Sequence, residues 1–439
     1  MAVNCSTIIG FTALTAASMA RMPKFPAPAL SLRLAVVCLM AAAVGLPVAI
    51  ISISKAVLLL SALGCSFWLL RCLAARAPLR HMATPLAITI ALAALAVSAI
   101  WSPVPAAQAW GAWAKHAKLL MIPLMLLLIR SEQEARIALL AFVAAQAALL
   151  LGSWMLWLGV PVPWATSNRA LQDYAVFSSR LDQPIMASVT AALCWHLQRF
   201  APHRWGRVAA LLFMVLALAN VFFVMNGRTG HLVAIALITL AAMWALPGRY
   251  RWMALTVPFL ILLALALGSA RVHDRMLSTV QELDSYTKIG NTDSSSGERL
   301  NYWRRSLESV AQHPVAGSGV GSWNAEYQRM DQGRGPVNAQ NVHNPHQEFL
   351  LWGVEAGVIG MALLCNLFVA IWRDTRSMPI PTARAAQSVL AALIISCLLN
   401  SSLFDATIGD FFCLALALTL ALGWHGRHRP LTAAREAVA

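Results

Sequence analysis

Charge is what this sequence has least of. Asp, Glu, Lys and Arg make up 12% of its 439 residues, where a soluble globular chain carries roughly 25%. With that charge missing and 59% of positions hydrophobic, a soluble dehydrogenase, kinase or hydrolase is excluded. Cysteine chemistry is missing too. The eight cysteines (Cys5, Cys38, Cys65, Cys72, Cys194, Cys365, Cys397, Cys413) lie in the N-terminal tail or inside apolar runs, and no Cys-x-x-Cys pair occurs. Neither a disulfide framework nor a thiolate metal site is therefore expected. Nor is there an Asp-x-Asp or Asp-Glu pair, and Asp405 and Asp410 stand five apart. Chemistry without a metal or other cofactor is the expectation. No internal repeat of the kind found in many secondary transporters is present.

What fills the chain is apolar sequence, with a mean hydropathy of +0.66. Measured against the roughly 20 residues that a helix needs to cross a bilayer, the sequence contains twelve candidate spans. They cover 32–53, 55–73, 84–101, 114–129, 136–159, 184–200, 207–225, 229–247, 251–269, 345–372, 384–400 and 409–424. The expected fold is all-α: a polytopic integral membrane protein of about twelve transmembrane helices. Its organisation reads as an N-terminal tail (1–31), helices 1 to 9 (32–269), a large loop (270–344), helices 10 to 12 (345–424) and a C-terminal tail (425–439).

The formal charge of +15 has the size of a nucleic-acid binder's, but the 33 Lys and Arg lie mostly in short clusters between apolar runs. That is a topology signal, and no nucleic-acid partner is expected. With the N-terminus in the cytoplasm, inner segments hold 19 of them. Short outer segments hold six (Lys55, Lys115, Lys118, Arg169, Arg180, Arg228), and the loop at 270–344 holds eight. The imbalance places both termini in the cytoplasm and the large loop outside. Ser18-Met19-Ala20 resembles a signal-peptidase site, but no basic n-region or dense apolar core precedes it, so 1–31 reads as a retained tail.

The loop is the one sizeable soluble segment and carries eight of the 18 acids. Ser295-Ser296-Gly297-Glu298 has the form of a capping box, and Leu300, Trp303, Leu307 and Val310 follow at helical spacing. An amphipathic helix over 296–312 is expected, stopped by His313-Pro314, with Gly317, Gly319 and Gly321 forming a flexible turn.

Three polar clusters map to the outer face. Asn226-Gly227-Arg228-Thr229-Gly230 sits between two apolar runs, and Arg228 there can clamp an anion beside free helix amides or snorkel to headgroups. Gly297-Glu298-Arg299 puts Arg299 in the first turn of the loop helix, free for a phosphate or paired with Glu298 or Glu308. Arg304 and Arg305 are further candidates of the same kind. His343-Asn344-Pro345-His346-Gln347-Glu348 precedes the tenth span, with Asn344 suited to an N-cap and Pro345 to the first helical position. His346 would then lie in a first turn whose dipole disfavours imidazolium, leaving it neutral as a general base, with His343 as its competitor. Glu355, within the tenth span, is the clear intramembrane acid.

Taken together these features resemble the bacterial O-antigen ligase family, in the superfamily that includes O-antigen polymerases and protein O-oligosaccharyltransferases. The resemblance spans nearly the whole chain. It rests on the span count, the late outer loop, the Asn-Gly-Arg-Thr-Gly junction, the Gly-Glu-Arg helix with Trp303, the turn from His313 to Gly317 and a histidine motif. In that motif a His and an Asn, Ser or Gln are followed after nine residues by Gly and, after two more, by a small residue. His346, Gln347, Gly357 and Gly360 fit it, whereas His343 fails because Val354 stands where Gly is required.

The resemblance implies a GT-C-like glycosyltransferase of the bacterial inner membrane, with its active site at the periplasmic face. The partners it implies are an undecaprenyl-diphosphate-linked O-antigen donor, a lipid A-core acceptor and the bilayer, the product being complete lipopolysaccharide. Carried over by position, His346 matches the essential histidine, and Arg228 and Arg299 match the arginines associated with the diphosphate. Arg180, in Ser179-Arg180-Leu181-Asp182, is a further candidate for carrier or glycan contact, and Asn344 shares the histidine cluster.

Overall fold

A computed structural model describes residues 30–71, 73–165, 172–177, 179–201, 203–268, 278, 281–282, 284, 287–288, 294–331 and 344–427. Among these the regular elements are all helical, as long apolar runs demand, since a segment in hydrocarbon must close its backbone hydrogen bonds within itself. The first half runs through α1 (Leu30–Ala43), α2 (Val48–Arg71), α3 (Leu73–His81), α4 (Ala83–Ser98), α5 (Ala106–His116), α6 (Met121–Leu128), α7 (Glu132–Trp157) and α8 (Asp182–Leu197). The second half comprises α9 (Arg204–Ala219), α10 (Arg228–Ala245), α11 (Val257–Gly268), α12 (Ser295–Gln312), α13 (Trp323–Asp331), α14 (Glu348–Thr375), α15 (Ile380–Leu399) and α16 (Ala406–Gly426).

Eight helices among the described residues are long and apolar enough to cross a membrane: Ala83–Trp101, Ala106–Leu128, Glu132–Trp157, Arg204–Val224, Arg228–Ala245, Glu348–Thr375, Ile380–Leu399 and Ala406–Gly426. This is a multi-pass membrane protein. The other four apolar runs fall on α1, α2, α8 and α11, which are outside that set. The first two divide earlier than their sequence suggests. The chain turns at Val44–Pro47, where Gly45 N–H reaches the Ala42 carbonyl at 3.1 Å, because Pro47 has no N–H with which to continue a helix.

At the centre stands α16, in which every residue from Ile408 to Trp424 is buried. A helix that is apolar on all sides needs protein on all sides, and α6, α7 and α15 supply much of it. Outside this core α14 packs along α4 and α15, α8 packs against α9 and α10, and α1 lies on α7. The α1–α7 pair is stapled by a buried bidentate bridge, both Arg33 Nη atoms lying 2.7 Å from the Glu134 carboxylate.

The feature that positions the site is a break in α14. Ala356 and Gly357 leave helical geometry, Gly357 at φ 63° and ψ −154°. The freed groups are not left unpaired. Ser318 N–H donates to the Val354 carbonyl (2.7 Å) and Gly319 N–H to that of Glu355 (2.9 Å). In return Val358 N–H reaches the Pro314 carbonyl (2.8 Å) and Ile359 N–H that of Val315 (3.4 Å). The turn after α12 is thus inserted into a spanning helix. A Cβ on Gly317 would lie 2.5 Å from Ala356 N, so the segment expected to be flexible is packed on both sides.

The loop helix forms over Ser295–Gln312, one residue earlier than expected. Ser294 is the N-cap and accepts from Gly297 N–H at 3.1 Å. Glu298 does not close a capping box, because its carboxylate receives the Tyr302 hydroxyl at 2.9 Å. The buried face also differs from the expected stripe, since Leu307 is 56% exposed whereas Tyr302, Ser306 and Ser309 are buried. Hydrogen bonding explains the exchange. Trp323 Nε1 donates to Ser306 Oγ (2.9 Å) and Ser309 Oγ to Glu326 Oε2 (3.2 Å), so small polar residues let α13 dock on α12. Trp323, Tyr327 and Tyr302 then join Leu351 and Val354 of α14 in a second apolar core.

Candidate active site

His346 lies just ahead of α14, not inside its first turn. The helix starts at Glu348 with Gln347 as N-cap, whose side chain receives Leu350 N–H. Asn344 instead turns the chain, its Oδ1 accepting His346 N–H at 2.9 Å. His346 takes a left-handed conformation at φ 52°, a state that side chains other than glycine adopt at a cost. The dipole argument built on a first-turn position therefore does not apply, and hydrogen bonds define the imidazole instead.

Those bonds come from residues that the sequence reading left aside. His346 Nδ1 lies 2.9 Å from Asn400 Oδ1, and Asn400 Nδ2 donates to Asp405 Oδ2 at 3.2 Å. The carboxylate orients the amide, so its oxygen faces the ring. An amide oxygen only accepts, so Nδ1 carries the proton and Nε2 keeps its lone pair. Asn344 Nδ2 reaches the other oxygen of Asp405 at 3.3 Å, which makes Asp405 the common anchor. Burial raises the Asp405 carboxyl above its usual range, against the opposing charges of His346, Lys118 and Lys115. Tyr302 of α12 faces the imidazole with ring centroids 6.2 Å apart, and Trp303 Nε1 donates to the Pro345 carbonyl at 3.1 Å.

Beneath this layer Glu348 is fully buried and accepts from Trp352 Nε1 (3.0 Å) and from the amides of Leu403 (2.9 Å) and Phe404 (3.3 Å). It thereby fixes the segment that carries Asp405. Glu355 is paired with His116 of α5, Nε2 to Oε2 at 2.9 Å, and its second oxygen receives Gly321 N–H at 2.9 Å. The intramembrane acid thus ties α5, α14 and the inserted turn together.

The arginine cluster assembles at the other end of α12. Arg228, first residue of α10, reaches Ser296 Oγ at 3.2 Å and the Glu282 carboxylate at 3.4 Å. Gly227 abuts Arg180, since a Cβ there would lie 2.5 Å from the Arg180 carbonyl. Arg299 is half-buried. Burial lowers its pKa, and so do the like charges of Arg228 and Arg180, with Glu298 opposing. Arg299 therefore feels the charge of both other guanidiniums, and it lies one helical turn from the Tyr302 and Trp303 that touch the histidine segment. Next to Arg180, the Asp182 carboxyl is pushed up to about 7 by burial and by the charge of Asp405, which links the arginine and histidine ends.

Arg304 and Arg305 take a different course, both pairing with Glu308 of their own helix at 3.1 and 2.8 Å. His343 lies outside the described residues. Among the described residues no group of three His, Cys, Asp or Glu side chains is placed to hold a metal ion.

Residues 212–365 match the family model described as O-antigen ligase. The chain carries an O-antigen ligase family domain. The domain runs from within α9 to the second half of α14, and so contains Arg228, Arg299, the inserted turn and His346. It supports a transferase role of the O-antigen ligase and polymerase type. Arg180, Asn400 and Asp405 lie outside the matched segment of this O-antigen ligase domain. No curated protein matches the chain.

Asn400 and Asp405 had one visible signal. Asn400-Ser401-Ser402 and Asp405 form a polar patch between two apolar runs, on the side of the membrane that the charge pattern assigns to His346. His116 had none, being one histidine within an apolar helix.

Proposed function

We propose that this protein is an O-antigen ligase, transferring glycan from undecaprenyl diphosphate to a sugar hydroxyl of lipid A-core. The observation that carries the reading is the tautomer fixed on His346, Nδ1 held by Asn400 and Nε2 left as an acceptor, with three arginines gathered a helical turn away. In a single inverting displacement Nε2 takes the proton of the acceptor hydroxyl as its oxygen bonds to the anomeric carbon. The bond from that carbon to the diphosphate oxygen breaks, and undecaprenyl diphosphate leaves with the electron pair. Arg228 and Arg299 stabilise the charge growing on the diphosphate, and Arg180 contacts the carrier or its first sugar. The imidazolium formed stands opposite the Asp405 carboxylate across Asn400. No covalent intermediate is required, and the step as written uses no metal. The site faces the periplasm of the inner membrane, with both termini cytoplasmic.

The test is purified protein mixed with the lipid-linked glycan and lipid A-core in EDTA, read by gel shift and mass spectrometry. A heavier lipid A-core and free undecaprenyl diphosphate are expected, and folded His346→Ala should lose about a hundred- to ten-thousand-fold of the rate. Wild-type turnover by that variant removes the general base from the mechanism. If the carrier-bound glycan lengthens while lipid A-core is unchanged, the protein is an O-antigen polymerase. If polypeptide is glycosylated, it is an oligosaccharyltransferase. Substrate movement with no bond cleavage would make it a transporter.

A further inference from the structure

On the side of His346 defined by α2, α5 and α6 the protein forms an open cavity of about 860 Å³. Its polar end is lined by Asn344, His346, Asp405 and three lysines, Lys55, Lys115 and Lys118, and none of the three arginines contributes. The lysines are not equivalent. Lys55 is paired with Asp410 at 2.9 Å. Lys118 is 6% exposed and donates to the carbonyls of Phe404 (3.1 Å) and Asp405 (2.6 Å), which uses two of the three donors of an ammonium. Lys115 is exposed and lies 4.4 Å over the Phe404 ring. The buried Lys118 and the exposed Lys115, two ammonium groups beside a general base, mark a place for an anion.

The rest of the lining is largely apolar and includes Leu58, Leu59, Leu120, Met121 and Leu124. At 1.5 Å per residue Leu59 lies about 6 Å beyond Lys55 along α2, and Leu124 about 9 Å beyond Lys118. With the histidine end at the periplasmic face, both directions lead into the hydrocarbon. The cavity therefore has the chemistry that suits an anionic lipid, cationic beside the histidine and apolar beyond it.

Two lipids meet in the reaction proposed above, and in-line displacement decides between them. The nucleophile must approach from the side opposite the leaving group, so a base that takes its proton belongs on the acceptor side. His346 lines this cavity, whereas Asn400, which holds Nδ1, does not. The guanidiniums lie elsewhere, against α8, α10 and the start of α12.

Resting on the ligase reading, we infer that the lysine-lined cavity is the acceptor site and that it selects a phosphorylated glycolipid, with Lys115 and Lys118 binding its phosphates and α2 and α6 seating an acyl chain. The full-length protein is tested in two arms. Without donor, native mass spectrometry compares bisphosphorylated lipid A-core, the same lipid after phosphatase treatment, and undecaprenyl diphosphate. The phosphorylated form should bind about tenfold tighter than the treated one, the size of a charge-assisted contact, and Lys115→Glu should erase that preference while leaving undecaprenyl diphosphate binding intact. Leu59→Trp, which fills the apolar half from a lipid-exposed position, should weaken both forms of lipid A-core. With donor, Lys115→Glu should raise the acceptor KM about tenfold and leave the donor KM and kcat unchanged. Equal binding of the two acceptor forms by the wild type overturns the inference, as does loss of undecaprenyl diphosphate binding in Lys115→Glu, which would give the cavity to the carrier. If the wild type ligates nothing, the ligase reading fails, and the binding arm still decides what the cavity holds.

Discussion

Replacing Gly357 with alanine tests the claim that the loop is held on the active site by a broken membrane helix. The new Cβ would stand 2.3 Å from the Val315 carbonyl oxygen, 2.4 Å from its carbon and 2.7 Å from the Pro314 oxygen. All three atoms belong to backbone, so no side chain can move aside and the turn itself must withdraw. Withdrawal breaks the bonds from Val358 and Ile359 to Pro314 and Val315, each costing about 1 to 3 kcal/mol when left unmade. The φ of 63° with ψ of −154° adds about 1 to 3 kcal/mol for a residue with a side chain. The sum is roughly 3 to 9 kcal/mol, a large share of the stability of most folds. Gly64→Ala is the control, since nothing lies within 4 Å of a Cβ there and alanine favours the helix by about 0.5 to 1 kcal/mol. Thermal unfolding in detergent by tryptophan fluorescence should show a lowered midpoint for Gly357→Ala only, and trypsin should cut the loop faster near Arg304 and Arg305. A Gly357→Ala protein with the midpoint, cleavage rate and turnover of the wild type would refute the docking argument.

Two further predictions concern the site itself. Asn400→Ala removes the acceptor that fixes the His346 tautomer and should lower kcat about ten- to a hundredfold, part of the roughly hundred- to ten-thousand-fold that a general base contributes, with substrate affinities retained. An unchanged kcat in a folded variant would show that the amide does not set the ring. Asp182, with its carboxyl pushed up to about 7, binds its proton more tightly folded than in the unfolded chain, where the ordinary value is 3.8. The folded state therefore holds more protons between those values, and this contribution to stability is full below pH 4 and lost as pH rises through 7. Measured from pH 5 to 8, the midpoint of the wild type should fall relative to that of Asp182→Asn; parallel curves would mean that Asp182 is ionised throughout.

The sequence announced the helices and the polar clusters because both are local. Apolar runs of spanning length fold as helices wherever they sit, and Arg228 and Arg299 declare themselves by standing at junctions of apolar and polar sequence. Tertiary structure set the rest. The helix start moved from Pro345 to Glu348 because Asn344 turns toward His346, and Asp405 anchors that turn from 61 residues away in the chain. The buried face of α12 moved from Leu307 to Ser306 and Ser309 because α13 brings Trp323 and Glu326 to them, partners that helical periodicity does not reveal. Lys115 and Lys118 read as outer charges, and their cavity exists only because α2 and α5 flank the segment before α14.

Strain and burial meet at His346 for a reason that follows from the membrane. A histidine within the helix would point along the bundle with its ring orientation set by packing, and hydrocarbon would cover it. Holding it ahead of the helix at φ 52° is unfavourable, and the backbone bond to Asn344, the Nδ1 bond to Asn400 and the Tyr302 ring together offset that cost. Those three supports come from the histidine segment itself, from the loop before α16 and from α12, and α12 is in place only because its turn is seated in the break of α14. The break and the left-handed histidine are thus one device, which exposes Nε2 where an anionic lipid can enter from one side and a diphosphate can be held on the other.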